Sequence, residues 1–346
     1  NKLPLLRRGL KLLVKNLRDE DRVALVVYAG AAGLVLPSTS GADKAKILAA
    51  IDGLQAGGST AGGAGIKLAY RVAKENYLEG GNNRVILATD GDFNIGVSST
   101  GELTRLIEKK RDDGVFLTVL GFGGGNYKGS RMEQLADKGN GNYAYIDNIL
   151  EAKKVLVTEM GGTLFTIAKD VKIQVEFNPS KVKEYRLVGY ENRVLAKEDF
   201  DNDKKDAGEL GAGHTVTALY EVVPAGGSTA EAEELRYAKT VVKADAYESN
   251  EIMTVKLRYK APDGEKSRKI VQPIVDEDIP LDKSSDNLRF AAAVAEFGML
   301  LRDSKFKAQS SWVEAEKLAR GAKGTDDHGY RAEFIRLVEK AALLAD

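Results

Sequence analysis

The chain has 346 residues, 43% hydrophobic and 29% charged, an ordinary globular composition with room for two or three domains. Lys+Arg and Asp+Glu balance at 51 each, which argues against a broad nucleic-acid-binding surface. The absence of cysteine excludes disulfides, thiolate metal sites and cysteine nucleophiles. With only two histidines, His214 and His328, a His-rich metal centre or a His-based triad is not expected.

The opening stretch, Leu3 to Leu17, carries apolar residues at helical spacing. RVALVVYAG (22–30) is a continuous apolar run ending in glycine, as a buried strand should be, and LVLPSTS follows as a short strand whose Pro suits an edge. ADKAKILAAIDGL (42–54) reads as a helix, GGSTAGGAG as a glycine-rich loop, and IKLAYRVAKENYL (66–78) as the next helix. RVILATDGD is a second buried strand with polar residues at its carboxyl end. TGELTRLIEKKRDDG, SRMEQLADKGNG and ILEAKKVLVTEM read as helices around the strands VFLTVLGFGGG and NYAYID. Strands alternating with helices in this way predict a doubly wound, mostly parallel α/β sheet over residues 1–165.

Beyond residue 165 the period changes from helical to two. TIAKDVKIQVEFNP, YRLVGYENRVL, HTVTALYEVVP, EIMTVKLRYKAPDG and KSRKIVQPIV predict an antiparallel, sandwich-like β domain over 166–283. Segments 199–213 and 224–236 are acidic or small-residue-rich and read as loops. Three helical patterns return in 284–346. No stretch approaches the roughly 18 apolar residues of a membrane span.

Two loops hold the sharpest chemistry. Gly57-Gly58-Ser59-Thr60 opens a helix, and Thr89-Asp90-Gly91-Asp92 ends a buried strand. In an open α/β sheet, ligands sit outside the carboxyl ends of the strands. Hydroxyl and carboxylate oxygens converging there would suit Mg²⁺. The same residues also read as turns and a helix cap, and spacing alone does not separate the two. Other patterns fall short. The acidic run from Asp199 lacks the Gly and Glu of a calcium loop, with Lys204 and Leu210 in their places. Gly121-Phe122-Gly123 fails the dinucleotide pattern at Asn126, and no P-loop occurs. Trp312 lies at helical spacing with Ala315 and Ala319 and reads as packing.

GGSTAGGAG followed by a helix, and then RVILATDGDFN, resembles the von Willebrand factor type A (vWA) domain. The resemblance extends over nearly the whole chain. It is most specific through GFGGGNYKGSRMEQLADKGNGNYAYID and KDVKIQVEFNP, as in bacterial vWA lipoproteins with a C-terminal domain of unknown function. It implies a vWA (Rossmann-like) fold, a cell-envelope location and a metal-ion-dependent adhesion site. Thr60 and Asp90 would ligate Mg²⁺ or Mn²⁺, with Ser59 and Asp92 supporting them. The family's first metal motif, Asp-x-Ser-x-Ser, and the central strand before it precede the first helix and do not occur in this sequence. Without that strand, buried backbone groups would lose their partners at roughly 1–3 kcal/mol each. The expectation is that an upstream segment completes the sheet, and that metal is absent from or weakly held by the chain as it stands. Direct pairing of strands 22–30 and 84–90 would refute this.

The resemblance implies a non-catalytic protein-binding, adhesion or scaffolding module, in which a partner's carboxylate completes the coordination of the cation. One alternative is a metal-independent structural or assembly protein. Another is a metal-dependent hydrolase using Asp90 and Asp92, which would require a base such as His214 or Glu75 beside Asp90.

Overall fold

The computed structural model describes residues 2–28, 32–57, 62–90, 100–123, 129–159, 166–189, 194–205, 207–226, 242–262 and 264–345. Ser59, Thr60 and Asp92 lie outside these residues. The chain divides into two compact units. Unit 1 holds Asn1–Lys172, Asp203–His214 and Tyr259–Arg268; unit 2 holds Ile173–Asn202, Thr215–Arg258 and Lys269–Asp346.

In unit 1, helix α1 (Lys2–Lys15) is followed by β1 (Arg22–Val27) and β2 (Gly33–Ser40), which pair antiparallel. After α2 (Lys44–Asp52) and α3 (Gly62–Glu75), β3 (Asn83–Thr89), β4 (Val115–Phe122) and β5 (Tyr143–Ile146) form a parallel sheet in that order. Helices α4 (Thr100–Asp112) and α5 (Gly129–Lys138) supply the crossovers, and α6 (Ile149–Lys153) follows β5. The predicted last helix continues past α6 as one π-helical turn, Lys154–Thr158.

The strand period of two explains why this sheet is covered on both faces. Val85 and Leu87 of β3, with Val115, Leu117 and Val119 of β4, pack against Ile66 and Tyr70 of α3, Leu103 and Ile107 of α4, and Met132 and Leu135 of α5. Ile86 and Ala88, with Leu120 and Phe122, face Leu5, Leu6 and Leu13 of α1 and Ala152, Val155 and Leu156. Each fully buried aliphatic side chain contributes about 1.5–3 kcal/mol. Among the described residues no ladder joins β1 to β3: β1–β2 and β3–β4–β5 are separate sheets.

One prediction is corrected at α3. The glycine run read as loop already forms its first turn, and Gly62, Gly63 and Gly65 are buried. Gly65 allows a close approach there: a Cβ on it would lie 2.5 Å from Cβ of Tyr28.

The alternating segments form antiparallel strands as expected. The order β11–β10–β6–β8 describes one sheet, built from β6 (Thr166–Phe177), β8 (Gly208–Gly211), β10 (Glu251–Lys260) and β11 (Arg268–Val275). β8 falls inside the segment read as an acidic loop. Near it, Lys260 Nζ lies 2.5 Å from Asp170 Oδ2 and donates to the Asp203 backbone carbonyl at 2.8 Å. In unit 2, β7 (Val182–Val188) and β9 (Leu219–Pro224) pair antiparallel, and Phe177 lies against Tyr185 and Tyr220 with centroids 4.5 and 5.4 Å away. A short helix α7 (Ala244–Glu248) precedes β10.

Helices α8 (Asp286–Leu301), α9 (Trp312–Gly321) and α10 (Tyr330–Ala345) bury Ala293, Phe297, Ala315, Ala319, Ile335 and Val338 against one another. The hydroxyls of Ser285 and Ser311 cap α8 and α9 by accepting from Leu288 N and Glu314 N. Trp312 packs edge-on to Phe297, which is a structural role. No helix among the described residues is long and apolar enough to cross a membrane.

Candidate functional site

Asp90 follows β3 at its carboxyl end. The alternation along β3 buries Val85, Leu87 and Thr89, so the next residue is released outward, and the Asp90 side chain is 50% exposed. The strand end is held from the side by Tyr28, just past β1. Its hydroxyl donates to the Ala88 carbonyl at 2.5 Å. Burial pushes the Tyr28 hydroxyl up from 10.0 to about 12. A hydrogen bond with the Thr89 side chain opposes this rise, and the nearby negative charge of Asp90 adds to it. Tyr28 is thus a neutral bridge between two sheet edges that share no backbone ladder among the described residues.

Lys2, in the first turn of α1, stands beside Asp90, with its Nζ 3.5 Å from Asp90 Oδ2. The lysine stem crosses Gly123, which follows β4 at φ +112°; a Cβ there would lie 2.3 Å from Lys2 Cε. The carboxyl ends of β3 and β4 therefore meet the amino end of α1 in one place.

The four residues expected to form the metal site are not brought together by what is described. Asp90 is present, whereas Ser59, Thr60 and Asp92 lie outside the described residues. Among the described residues no group of three or more His, Asp or Glu side chains could hold a metal ion. One half-exposed carboxylate beside an ammonium does not make a Mg²⁺ site, because that ion needs several oxygen ligands. The described groups alone therefore do not fit the cation.

Of the two bases named for a hydrolase reading, His214 has a setting of its own. His214 lines a small pocket of about 140 Å³ with Thr118, Asn142, Tyr143, Ala144, Val155 and Glu159. Thr118 is in register with Ile86, four residues back along β3 from Asp90. Arg84 donates to Thr118 Oγ1 at 2.7 Å in this region. Burial brings its guanidinium down to about 10, against the opposing pull of Glu209. Glu209 in turn accepts from Asn140 at 3.0 Å.

Sequence reading missed Tyr28 and Lys2. Tyr28 was legible only as one residue of the apolar run 22–30, and Lys2 stood just before the helical pattern that begins at Leu3.

Residues 1–157 match the von Willebrand factor type A domain, and residues 162–344 match the C-terminal region of the uncharacterized protein YfbK. The uncharacterized protein YfbK of Escherichia coli (strain K12) is 47% identical over 345 residues. The match takes in 100% of this chain and 59% of that protein, so the chain spans about three fifths of its relative's length. Among solved structures, a von Willebrand factor type A protein from Catenulispora acidiphila is similar over 98% of this chain and 78% of its own, at 16% identity and a TM-score of 0.49. An aerotolerance-related membrane protein from Bacteroides fragilis is similar over 46% of this chain and 87% of its own, at 24% identity and a TM-score of 0.38.

Proposed function

This chain belongs to the YfbK family and carries a von Willebrand factor type A domain, and from that premise we propose that it is a non-catalytic protein-binding module of the bacterial cell envelope. A vWA domain suggests a role in protein interaction. The observation that carries the finer reading is the release of Asp90, half-exposed, at the carboxyl end of a buried parallel strand. In this reading Thr60 and Asp90 ligate Mg²⁺ or Mn²⁺, Ser59 and Asp92 support them, and a carboxylate from the partner protein fills an open coordination position. That chemistry is ligation and requires no general base.

The remaining oxygens come, in this proposal, from an upstream segment of the longer polypeptide. It lies as an extended strand between β1 and β3. The support is that these two strands lie in separate sheets bridged by the Tyr28 hydroxyl. Such a strand would give both free edges a backbone partner.

The test is a calorimetric titration of the chain with Mg²⁺ and Mn²⁺, alone and with the upstream segment added, beside Asp90→Ala. Saturable binding that is lost in Asp90→Ala is expected, and stronger with the segment present. Binding indifferent to Asp90, or none under either condition, removes the metal from the proposal. A second reading, a metal-independent assembly protein, is favoured by one observation: a lysine already stands beside Asp90.

A further inference from the structure

We propose that the outward face of α1, with the start of α2 beside it, is a docking surface for an anionic lipid bilayer. The inference goes beyond the reading of Asp90 and does not involve that residue.

The chain as a whole balances its charges, with 51 basic and 51 acidic residues, but this face does not. From Lys2 to Arg18 there are six basic residues and no acidic one. Helical spacing decides where they point. Leu6 and Leu13 pack into the cluster of Leu120 and Phe122, and Leu10 and Val14 into that of Leu36, Ile47 and Ile51. Arg8, Lys11 and Lys15, at i, i+3 and i+7, share the opposite face of the helix. Packing of the apolar side therefore turns this stripe to water. Arg8 and Lys15 are exposed, and the Lys11 side chain is 37% exposed.

Helix α2 runs antiparallel beside α1. The Arg7 guanidinium donates to the Leu54 carbonyl, just past the end of α2. Lys11 Nζ lies 2.5 Å from Asp52 Oδ1. Lys44 Nζ donates to the Lys15 carbonyl at 3.1 Å, which adds its ammonium to the carboxyl end of the stripe. Asp52 thus offsets Lys11, whereas Arg8 and Lys15 have no ionic partner among the described residues. The helix dipole accounts for cations at the carboxyl end of α1, where Lys15 and Lys44 stand, but not for Arg8 in mid-helix.

The chemistry of the face selects the partner. A specific protein interface is anchored by apolar and aromatic side chains at its centre. Among the described residues, no large hydrophobic side chain is exposed on α1 or α2. A bilayer of anionic lipid presents phosphates as a continuous plane and requires only a density of cations. Arg8 to Lys15 spans about 10 Å of helix, close to the Debye length at physiological salt, so the charges act together. Each cation near such a surface contributes roughly five-fold in partitioning.

Co-flotation of the full chain with vesicles tests this. At low salt it should float with vesicles of phosphatidylglycerol and phosphatidylcholine in equal parts, stay behind with pure phosphatidylcholine, and be released by high salt. Arg8→Ala/Lys15→Ala should weaken the binding roughly twenty- to thirty-fold. Arg8→Lys/Lys15→Arg, which keeps both charges, should bind as wild type. Lys317→Ala/Lys340→Ala, which removes two exposed charges from unit 2, should also bind as wild type. No flotation with the anionic vesicles overturns the inference, as does an equal loss in the two alanine pairs. Tighter binding to polyglutamate or to duplex DNA than to the vesicles overturns it as well, and assigns the face to an acidic protein or a nucleic acid instead.

Discussion

Tyr28→Phe isolates the bridge between β1 and β3. The substitution keeps the ring in its place among the buried residues of α3 and β3 and removes one hydroxyl, which donates to the Ala88 carbonyl at 2.5 Å. Losing that bond in a part-buried setting should cost about 1–2 kcal/mol at neutral pH. The pH dependence supplies a sharper signature. The folded-state pKa of Tyr28 is raised from 10.0 to about 12, mainly by burial. Stability from the protonated hydroxyl is therefore fully present below pH 10 and is lost as pH rises through about 12. A rise of that size corresponds to about 2–3 kcal/mol. Wild type should thus lose its advantage over Tyr28→Phe between pH 10 and 12. Tyr70, whose hydroxyl burial also pushes up, is common to both proteins and cancels in the difference. Urea unfolding should be followed by far-UV circular dichroism, because the sole tryptophan, Trp312, sits in the helical cluster of unit 2 and reports there. Equal alkaline loss of stability in the two proteins would refute the argument.

Lys260→Met removes the base from a pair whose side chains are 9% and 15% exposed, leaving the Asp170 carboxylate to the Ala207 N–H at 3.3 Å. A cost of about 3 kcal/mol is expected, with Asp170→Asn/Lys260→Met measurably less costly than the sum of the single changes in a urea double-mutant cycle. The hydrogen bond that Lys260 donates to Asp170 raises the Lys260 pKa above 10.5, so this contribution is complete at pH 7 and fades only as pH rises through the raised value. Gly141→Ala would place a Cβ 1.7 Å from the Leu117 carbonyl oxygen, a backbone atom that cannot yield. It should cost about 4 kcal/mol or more. Gly298→Ala, in α8 with open space around it, should instead raise the midpoint, by about 0.5–1 kcal/mol in stability, in the same denaturation assay.

Much of unit 1 was legible because its parallel strands are buried on both faces. A run such as VFLTVLGF leaves little choice, since nearly every residue of β4 is buried. The antiparallel strands were legible for the opposite reason, an alternation that survives wherever one face meets water. What sequence hid depends on contacts distant along the chain. Within α3 Gly65 lies against Tyr28, far away in sequence, and a glycine run has no local signal that distinguishes it from a loop. β8 is four residues long and pairs with β6, so GELG alone carries too little pattern to announce it. The Tyr28–Ala88 bond joins residues 60 apart, and the Lys2–Asp90 contact joins residues 88 apart. The position of Asp90 was the easier part, because a carboxylate that follows a strand with Thr89 turned inward must turn outward.

That outward turn separates what holds the fold from what is available for binding. Tyr28 and Thr89 are buried or nearly so, and their hydroxyls meet at the end of β3. Stability at this corner is concentrated in them. Asp90 is half-exposed, its ion pair with Lys2 is long at 3.5 Å, and such a pair contributes at most about 1 kcal/mol. Nothing in the packing requires a carboxylate there, so Asp90→Ala should leave the unfolding midpoint within about 0.5 kcal/mol of wild type. A residue that the fold can lose at so little cost, at the end of a strand the fold cannot lose, is one whose substitution can be read for binding alone. The same substitution in the Mn²⁺ titration then reads function without a stability artefact. An Asp90→Ala protein that failed to fold would place Asp90 with Tyr28 as part of the architecture, and would remove the ground for assigning it to binding.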